Sequence, residues 1–224
     1  MGERIVLFGG TFNPIHHGHL IVARAVAEHF HFDRVTFVPA AISPHKTALA
    51  GQAGEAAPQS AEPAAQDRLE MIRLAIAGED LFDVTDVELK RRPPSYTLDT
   101  LMAFRQEHGL DVPLYWIIGA DMLEDLPTWH RVSEVVDMAT ILTAGRPPYT
   151  ARLERTLQTL RVRLSDQQVA RLASGIVPTP LVDISSTQIR HRIRARRSAR
   201  YLTPDGVIDY INKRGLYRIP PREN

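Results

Sequence analysis

The chain has 224 residues, 44% hydrophobic and 24% charged, and its 27 basic and 26 acidic groups leave a net charge of +1. At roughly 150 residues per domain, this length favours one α/β domain with an appendage over two equal domains, and it suffices for a sizeable core. The near-neutral balance argues against a bulk nucleic-acid or membrane-surface binder, so any phosphate chemistry has to be local. The absence of cysteine excludes disulfides, thiolate nucleophiles, iron–sulfur clusters and cysteine-based zinc sites.

The apolar run Ile5-Val6-Leu7-Phe8 is too brief for a signal-peptide core, and Val6 stands where a myristoylation signal needs Ser or Thr. No segment approaches about 18 unbroken apolar residues, so a cytoplasmic protein with no membrane partner is expected. Along the chain, 4–8 reads as a buried strand and 18–30 as a helix, with Leu20, Ala23, Ala27 and Phe30 at three- and four-residue steps. A second strand follows at 35–39, then a helix over 66–77 carrying Leu69, Ile72 and Ile76, and an alternating strand over 82–89. A helix around 97–108, a buried strand at 114–118, a helix near 132–138 and a strand at 140–143 complete the rhythm. Such alternation predicts a doubly wound, mostly parallel α/β sheet with ligands beyond the carboxyl ends of its strands.

Two regions break the pattern. Residues 48–66 hold eight alanines, two glycines and two prolines, which suits a mobile loop: a tolerated insertion or a lid. Between Ile189 and Arg200 stand Arg190, Arg192, Arg194, Arg196, Arg197 and Arg200 with no acid among them.

The first strand runs into Gly9-Gly10-Thr11-Phe12-Asn13-Pro14-Ile15-His16-His17-Gly18-His19, which then opens a helix. Two glycines let backbone approach a ligand, and the helix N-terminus offers N–H groups and a positive dipole end to phosphate. His16 and His19, at an i, i+3 spacing, can donate to phosphate oxygens from one side, while His17 suits a cap or surface position better. The glycine spacing fits neither the dinucleotide fingerprint nor the P-loop. Zinc is disfavoured, because no second ligand cluster accompanies these histidines; no metal ligand is assigned.

The run Gly9–His19 resembles the G-G-[ST]-F-x-P-x-H-x-G-H signature of nucleotidyltransferases that activate a phosphate monoester with ATP or CTP. Ile184-Ser185-Ser186-Thr187-Gln188-Ile189-Arg190 resembles their I-S-S-T-x-I-R element. Pro44-His45-Lys46, the stretch from Ser95 to Leu101, Ile118-Gly119-Ala120-Asp121, Leu126-Pro127-Thr128-Trp129 and Tyr201-Leu202-Thr203-Pro204 are similar to one branch, the bacterial nicotinate-nucleotide adenylyltransferases. The likeness covers almost the whole chain except the Ala-rich loop and 149–174.

The resemblance implies a Rossmann-like nucleotidyltransferase fold over 1–184 and a small C-terminal helical subdomain over 185–224. It implies transfer of the adenylyl group of ATP to nicotinate mononucleotide, with Mg²⁺ held mainly by ATP oxygens and water. Gly9, Gly10, Thr11, Phe12, His16, His19, Ser186, Thr187 and Arg190 would take ATP, the two histidines being catalytic. His45, Lys46, Thr97, Asp121, Trp129 and Arg146 would take the mononucleotide, whose phosphate is already an anion and needs no general base.

The residues themselves leave alternatives. Trp129, in a Pro-Thr-Trp turn, could stack on a pyridinium ring or pack under a loop. Thr97 could bond the ring carboxylate or cap its helix. Pro93, Pro148 and Arg196 stand where the family often has glycine; the two prolines restrict loop shape near the expected acceptor pocket, and Arg196 makes the basic block denser. Rival functions are a sibling transferase acting on nicotinamide mononucleotide or phosphopantetheine, and a non-catalytic nucleic-acid binder using 190–200. The resemblance implies no nucleic-acid partner, and a homo-oligomer is compatible with it.

Overall fold

The computed structural model describes residues 2–41, 63–92, 94–145 and 152–218. Apolar strand residues on both sides demand cover on both sides, and the chain supplies it by crossing over with a helix after nearly every strand. The strands are β1 (Ile5–Gly10), β2 (Val35–Pro39), β3 (Phe82–Val84), β4 (Leu114–Gly119), β5 (Thr140–Gly145) and β6 (Ile176–Pro178). They form one sheet in the order β3-β2-β1-β4-β5-β6, and every pair is parallel. The expected doubly wound sheet is present, with a switch point between β1 and β4 where consecutive connections depart to opposite sides.

Alternation along the strands divides the core in two. Val6, Phe8, Phe37, Ile117 and Leu142 face a cluster with α1 (His17–Phe30), α2 (Ala65–Ile76) and α9 (Asp205–Arg214). Leu7, Val38, Trp116, Ile118 and Ile141 face the other, with α3 (Thr97–His108), α4 (Ala120–Asp125), α5 (Val132–Met138), α6 (Leu153–Leu160) and α7 (Asp166–Ser174). Late in the chain, α8 (Ser186–Arg194) leads to α9, which buries Val207 and Ile211 in the first cluster together with Tyr217. The C-terminal helices therefore share the apolar core of the first strands.

Several elements differ from expectation. The strand expected over 82–89 ends at Val84, because 86–90 close into a turn with Leu89 and Lys90 N–H groups donating to the Asp86 carbonyl and the Lys90 ammonium paired with the Asp86 carboxylate at 2.8 Å. Helix α2 starts at Ala65, so the last two residues assigned to the Ala-rich loop are its first turn; 48–62 lie outside the described residues. The glycine pair belongs to β1 itself, in register with Val38 and Pro39, where it was expected just beyond the strand. Helices α4, α6 and α7 and strand β6 had no counterpart in the reading of periodicity. One of them carries a legible signal: Ser165 caps α7 by accepting the Gln168 N–H while Gln168 Oε1 accepts the Ser165 N–H, a capping box spelled S-x-x-Q.

Among the described residues, no helix is long and apolar enough to cross a membrane.

Candidate active site

A cavity of about 520 Å³ opens at the carboxyl ends of β1, β4 and β5, over the switch point. Gly9 and Gly10 line it, but their lack of side chains serves the protein as well as a ligand. A Cβ on Gly9 would run into the Trp116 indole, and one on Gly10 would sit 2.8 Å from the Phe12 ring. The glycines thus let two aromatic rings close under the site. Phe12 adopts a left-handed backbone, φ 47°, which is uncommon for a large residue. Its buried ring packs edge-on against Phe8, Phe37 and His19, with centroids 5.6, 5.5 and 5.0 Å away.

His16 is the buried N-cap of α1, and its ring stacks on that of His19 at 3.7 Å. His19 stands at the third helical position, where a Glu or Gln often reaches back to the cap. It fills that role: its Nδ1 accepts the His16 N–H at 3.2 Å. A neutral imidazole accepting at Nδ1 carries its proton on Nε2, the tautomer suited to donating to a phosphate oxygen. The N–H of His17 donates to the Leu202 carbonyl, and that of His19 to the His16 carbonyl. The α1 N-terminus is therefore less open to an anion than the sequence suggests, which shifts the burden onto the imidazoles. His17 is absent from the cavity wall, whereas His16, Gly18 and His19 line it.

The carbonyls of the 11–15 turn are held from outside. Arg68 Nη1 donates to Thr11 at 2.7 Å, Arg190 Nη1 to Asn13 at 2.7 Å, Ser186 Oγ to Pro14 at 2.8 Å and Thr203 Oγ1 to Ile15 at 2.7 Å. The Tyr217 hydroxyl donates to Asn13 Oδ1 at 2.6 Å. Five bonds from α2, α8 and the C-terminal segment thus fix a turn that has no regular structure of its own. Ser185 caps α8 by accepting the Gln188 N–H, aiming the positive end of that helix at the cavity wall formed by Ser185, Ser186, Thr187 and Arg190. The Ser186 hydroxyl and one Arg190 nitrogen are engaged with the turn; the other terminal nitrogen of Arg190 donates to Thr187 Oγ1 at 3.1 Å.

Across the cavity stand Thr97, Asp121 and Trp129. Thr97 does not cap its helix. Tyr96 is the N-cap of α3, and its N–H is accepted by the Asp99 carboxylate at 3.3 Å. The Asp121 carboxylate lies over Gly119 at the end of β4. Trp129 packs against the apolar core while also lining the cavity. His45, Lys46 and Arg146, like Pro93 and Pro148, fall outside the described residues.

The sequence reading missed Trp116, Tyr96, His130, Asn13 and Glu88 on the cavity wall. Tyr96 and His130 stack at 4.4 Å. Trp116 was legible in principle, as an aromatic three residues before the glycine that ends a central strand. Glu88 was not: its carboxylate is buried, accepts the Thr100 hydroxyl at 2.8 Å, and is pushed above the usual carboxylate range chiefly by desolvation. Among the described residues, no group of three or more His, Asp or Glu could hold a metal ion.

A family model described as cytidylyltransferase-like matches residues 7–192. Relatives described as "Probable nicotinate-nucleotide adenylyltransferase" include one from Thermomicrobium roseum, 39% identical with 96% of this chain and 92% of the relative covered. Another, from Gloeobacter violaceus, is 39% identical with 98% of each covered. Among solved structures, the Plasmodium falciparum nicotinic acid mononucleotide adenylyltransferase complexed with NaAD superposes with a TM-score of 0.70 at 16% identity, covering 96% of this chain and 98% of that one. At that identity the superposition speaks for the fold, while the full-length relatives speak for descent. The chain belongs to the cytidylyltransferase-like nucleotidyltransferases, in the nicotinate-nucleotide adenylyltransferase family.

Proposed function

We propose that the protein transfers the adenylyl group of ATP to the phosphate of nicotinate mononucleotide, giving nicotinate adenine dinucleotide and pyrophosphate. The observation that carries the reading is the convergence on one cavity of His16, His19 and Arg190 on one wall with Thr97, Asp121 and Trp129 on the other. A phosphate oxygen of the acceptor attacks the α-phosphorus of ATP, and the bond from that phosphorus to the bridging oxygen of the β-phosphate breaks. The nucleophile is already ionised, so the work is alignment and stabilisation of charge on the departing pyrophosphate.

His19 donates through Nε2 to a phosphate oxygen, and His16, stacked beside it, fixes its plane. Arg190 and the α8 N-terminus receive the outer phosphates, with Thr187 orienting the guanidinium. Among the described residues no cluster of His, Asp or Glu would hold a cation, so Mg²⁺ would be held mainly by triphosphate oxygens and water and would supply charge neutralisation there. By the family resemblance, His45, Lys46 and Arg146 would serve the mononucleotide. The protein works in the cytoplasm, with the helices of 185–224 completing the core and the cavity wall of the sheet domain over 1–184.

The Trp129 indole offers the pyridinium ring a face worth about 1–2 kcal/mol when water is excluded. Trp129→Ala is accordingly expected to raise the acceptor KM by about five- to thirtyfold, with the KM for ATP nearly unchanged. Initial-rate measurements with each substrate varied in turn check this, and a variant in which only the ATP KM rises contradicts the acceptor assignment.

A further inference from the structure

One of the bonds that hold the 11–15 turn comes from a residue that does not line the cavity. The Tyr217 hydroxyl donates to Asn13 Oδ1 at 2.6 Å across 204 positions of sequence, and the two residues are only 2% and 3% exposed. Asn13 lines the cavity, whereas Tyr217 belongs to the apolar cluster of Phe8, Phe12 and Phe37.

The end of α9 brings Tyr217 there. Val207 and Ile211 anchor that helix in the core, and Gly215, at φ 64°, ends it in left-handed backbone, with the Leu216 N–H returning to the Ile211 carbonyl at 3.0 Å. Tyr217 then adopts the same left-handed conformation at φ 64°, uncommon for a large side chain. Phe12, the neighbour of Asn13, does so at φ 47°. Such backbones persist where their surroundings over-determine them, and the Tyr217–Asn13 bond joins the two segments that carry them.

From Asn13 the contacts lead on to the reacting groups. Its carbonyl accepts Arg190 Nη1 at 2.7 Å, while the ring of Phe12 packs edge-on against that of His19, centroids 5.0 Å apart, and His19 stacks on His16. The other end of α9 supports the same stretch, as Thr203 donates to the Ile15 carbonyl and the Leu202 carbonyl accepts the His17 N–H. Of the five bonds that fix the turn, the one from Tyr217 grips a side chain and the other four grip backbone carbonyls.

We infer that Tyr217 is a positioning residue for adenylyl transfer: its hydroxyl sets the Asn13 side chain and, through Asn13 and Phe12, the His19–His16 pair. The inference rests on the reaction proposed above and adds to it a residue that touches no reacting atom. Removing the hydroxyl leaves Asn13 Oδ1 without this partner in a buried place, a state costly enough for the turn to rearrange.

The test is a double-mutant cycle on the full chain with Tyr217→Phe, Asn13→Ala and the double variant, read by steady-state pyrophosphate release from Mg-ATP and nicotinate mononucleotide. Tyr217→Phe keeps the buried ring and loses only the hydroxyl. Its kcat should fall by about ten- to a hundredfold, the scale of slightly misplaced catalytic groups, with both KM values within about threefold of the parent. In the Asn13→Ala background the same substitution should change kcat by less than about twofold, because the hydroxyl acts through Asn13. Should Asn13→Ala fail to fold, Asn13→Ser, too short to reach the hydroxyl, replaces it. A parental kcat in Tyr217→Phe, a change confined to KM, losses that multiply in the double variant, or a Tyr217→Phe chain that does not fold overturns the positioning role while the functional reading stands. A parent protein that releases no pyrophosphate with this acceptor overturns the functional reading and the role with it.

Discussion

Replacing His19 with glutamine is expected to lower kcat by about a hundred- to a thousandfold while the melting temperature stays close to that of the parent. The two halves of this expectation come from two nitrogens of one ring. Nδ1 accepts the His16 N–H and closes the first turn of α1, a task that a glutamine amide oxygen at the same helical position performs equally well. In the proposed reaction Nε2 is the donor to charge that grows on the phosphates during transfer, and a glutamine amide cannot supply the same donor geometry. His19→Ala removes both functions. It should lose turnover to a similar degree and, in addition, about 1 kcal/mol of capping, or about 2–4 °C in a chain of this size. Steady-state rates and thermal melts on the two variants check the pair. Near-parental turnover in His19→Gln would remove His19 from the reacting set.

Arg190→Lys should cost about a hundredfold in kcat/KM for ATP, the scale of losing a donor that meets developing charge, and leave the acceptor KM nearly unchanged. The guanidinium divides its fork between the Asn13 carbonyl and Thr187, and presents the rest of its positive surface to the cavity. A lysine keeps the charge but cannot hold the turn and a phosphate together. Pyrophosphate, as the leaving group, should inhibit the variant more weakly than the parent. Unchanged product inhibition together with an unchanged ATP KM would place Arg190 in the turn alone.

The sheet was legible because its central strands are continuous apolar runs and its crossover helices have clear periods, as Leu69, Ile72 and Ile76 on α2 illustrate. The late elements were obscure for physical reasons. Strand β6 is only three residues long, and α4 begins directly from β4 without a break in composition. The truncated β3 shows how alternation misleads: Glu88, read as part of a strand, lies in the turn after it, buried and accepting the Thr100 hydroxyl. Site residues were visible where the chemistry is local in sequence, as with His16 and His19. They were invisible where function depends on long-range hydrogen bonds, as with Arg68 reaching Thr11 or Tyr217 reaching Asn13. The arginine block between Arg190 and Arg200 also resolves into parts. Arg190 faces the cavity, whereas Arg192 donates to the Ser198 carbonyl and Arg200 lies over the exposed Tyr201 ring.

Acceptor choice tests the central claim most directly. Pyrophosphate release from Mg-ATP is measured in parallel with nicotinate mononucleotide, nicotinamide mononucleotide and phosphopantetheine as sole acceptor, and kcat/KM is compared. The account predicts the highest value with nicotinate mononucleotide, with nicotinate adenine dinucleotide as the accompanying product. Equal or greater release with phosphopantetheine, or none with any pyridine mononucleotide, would contradict it.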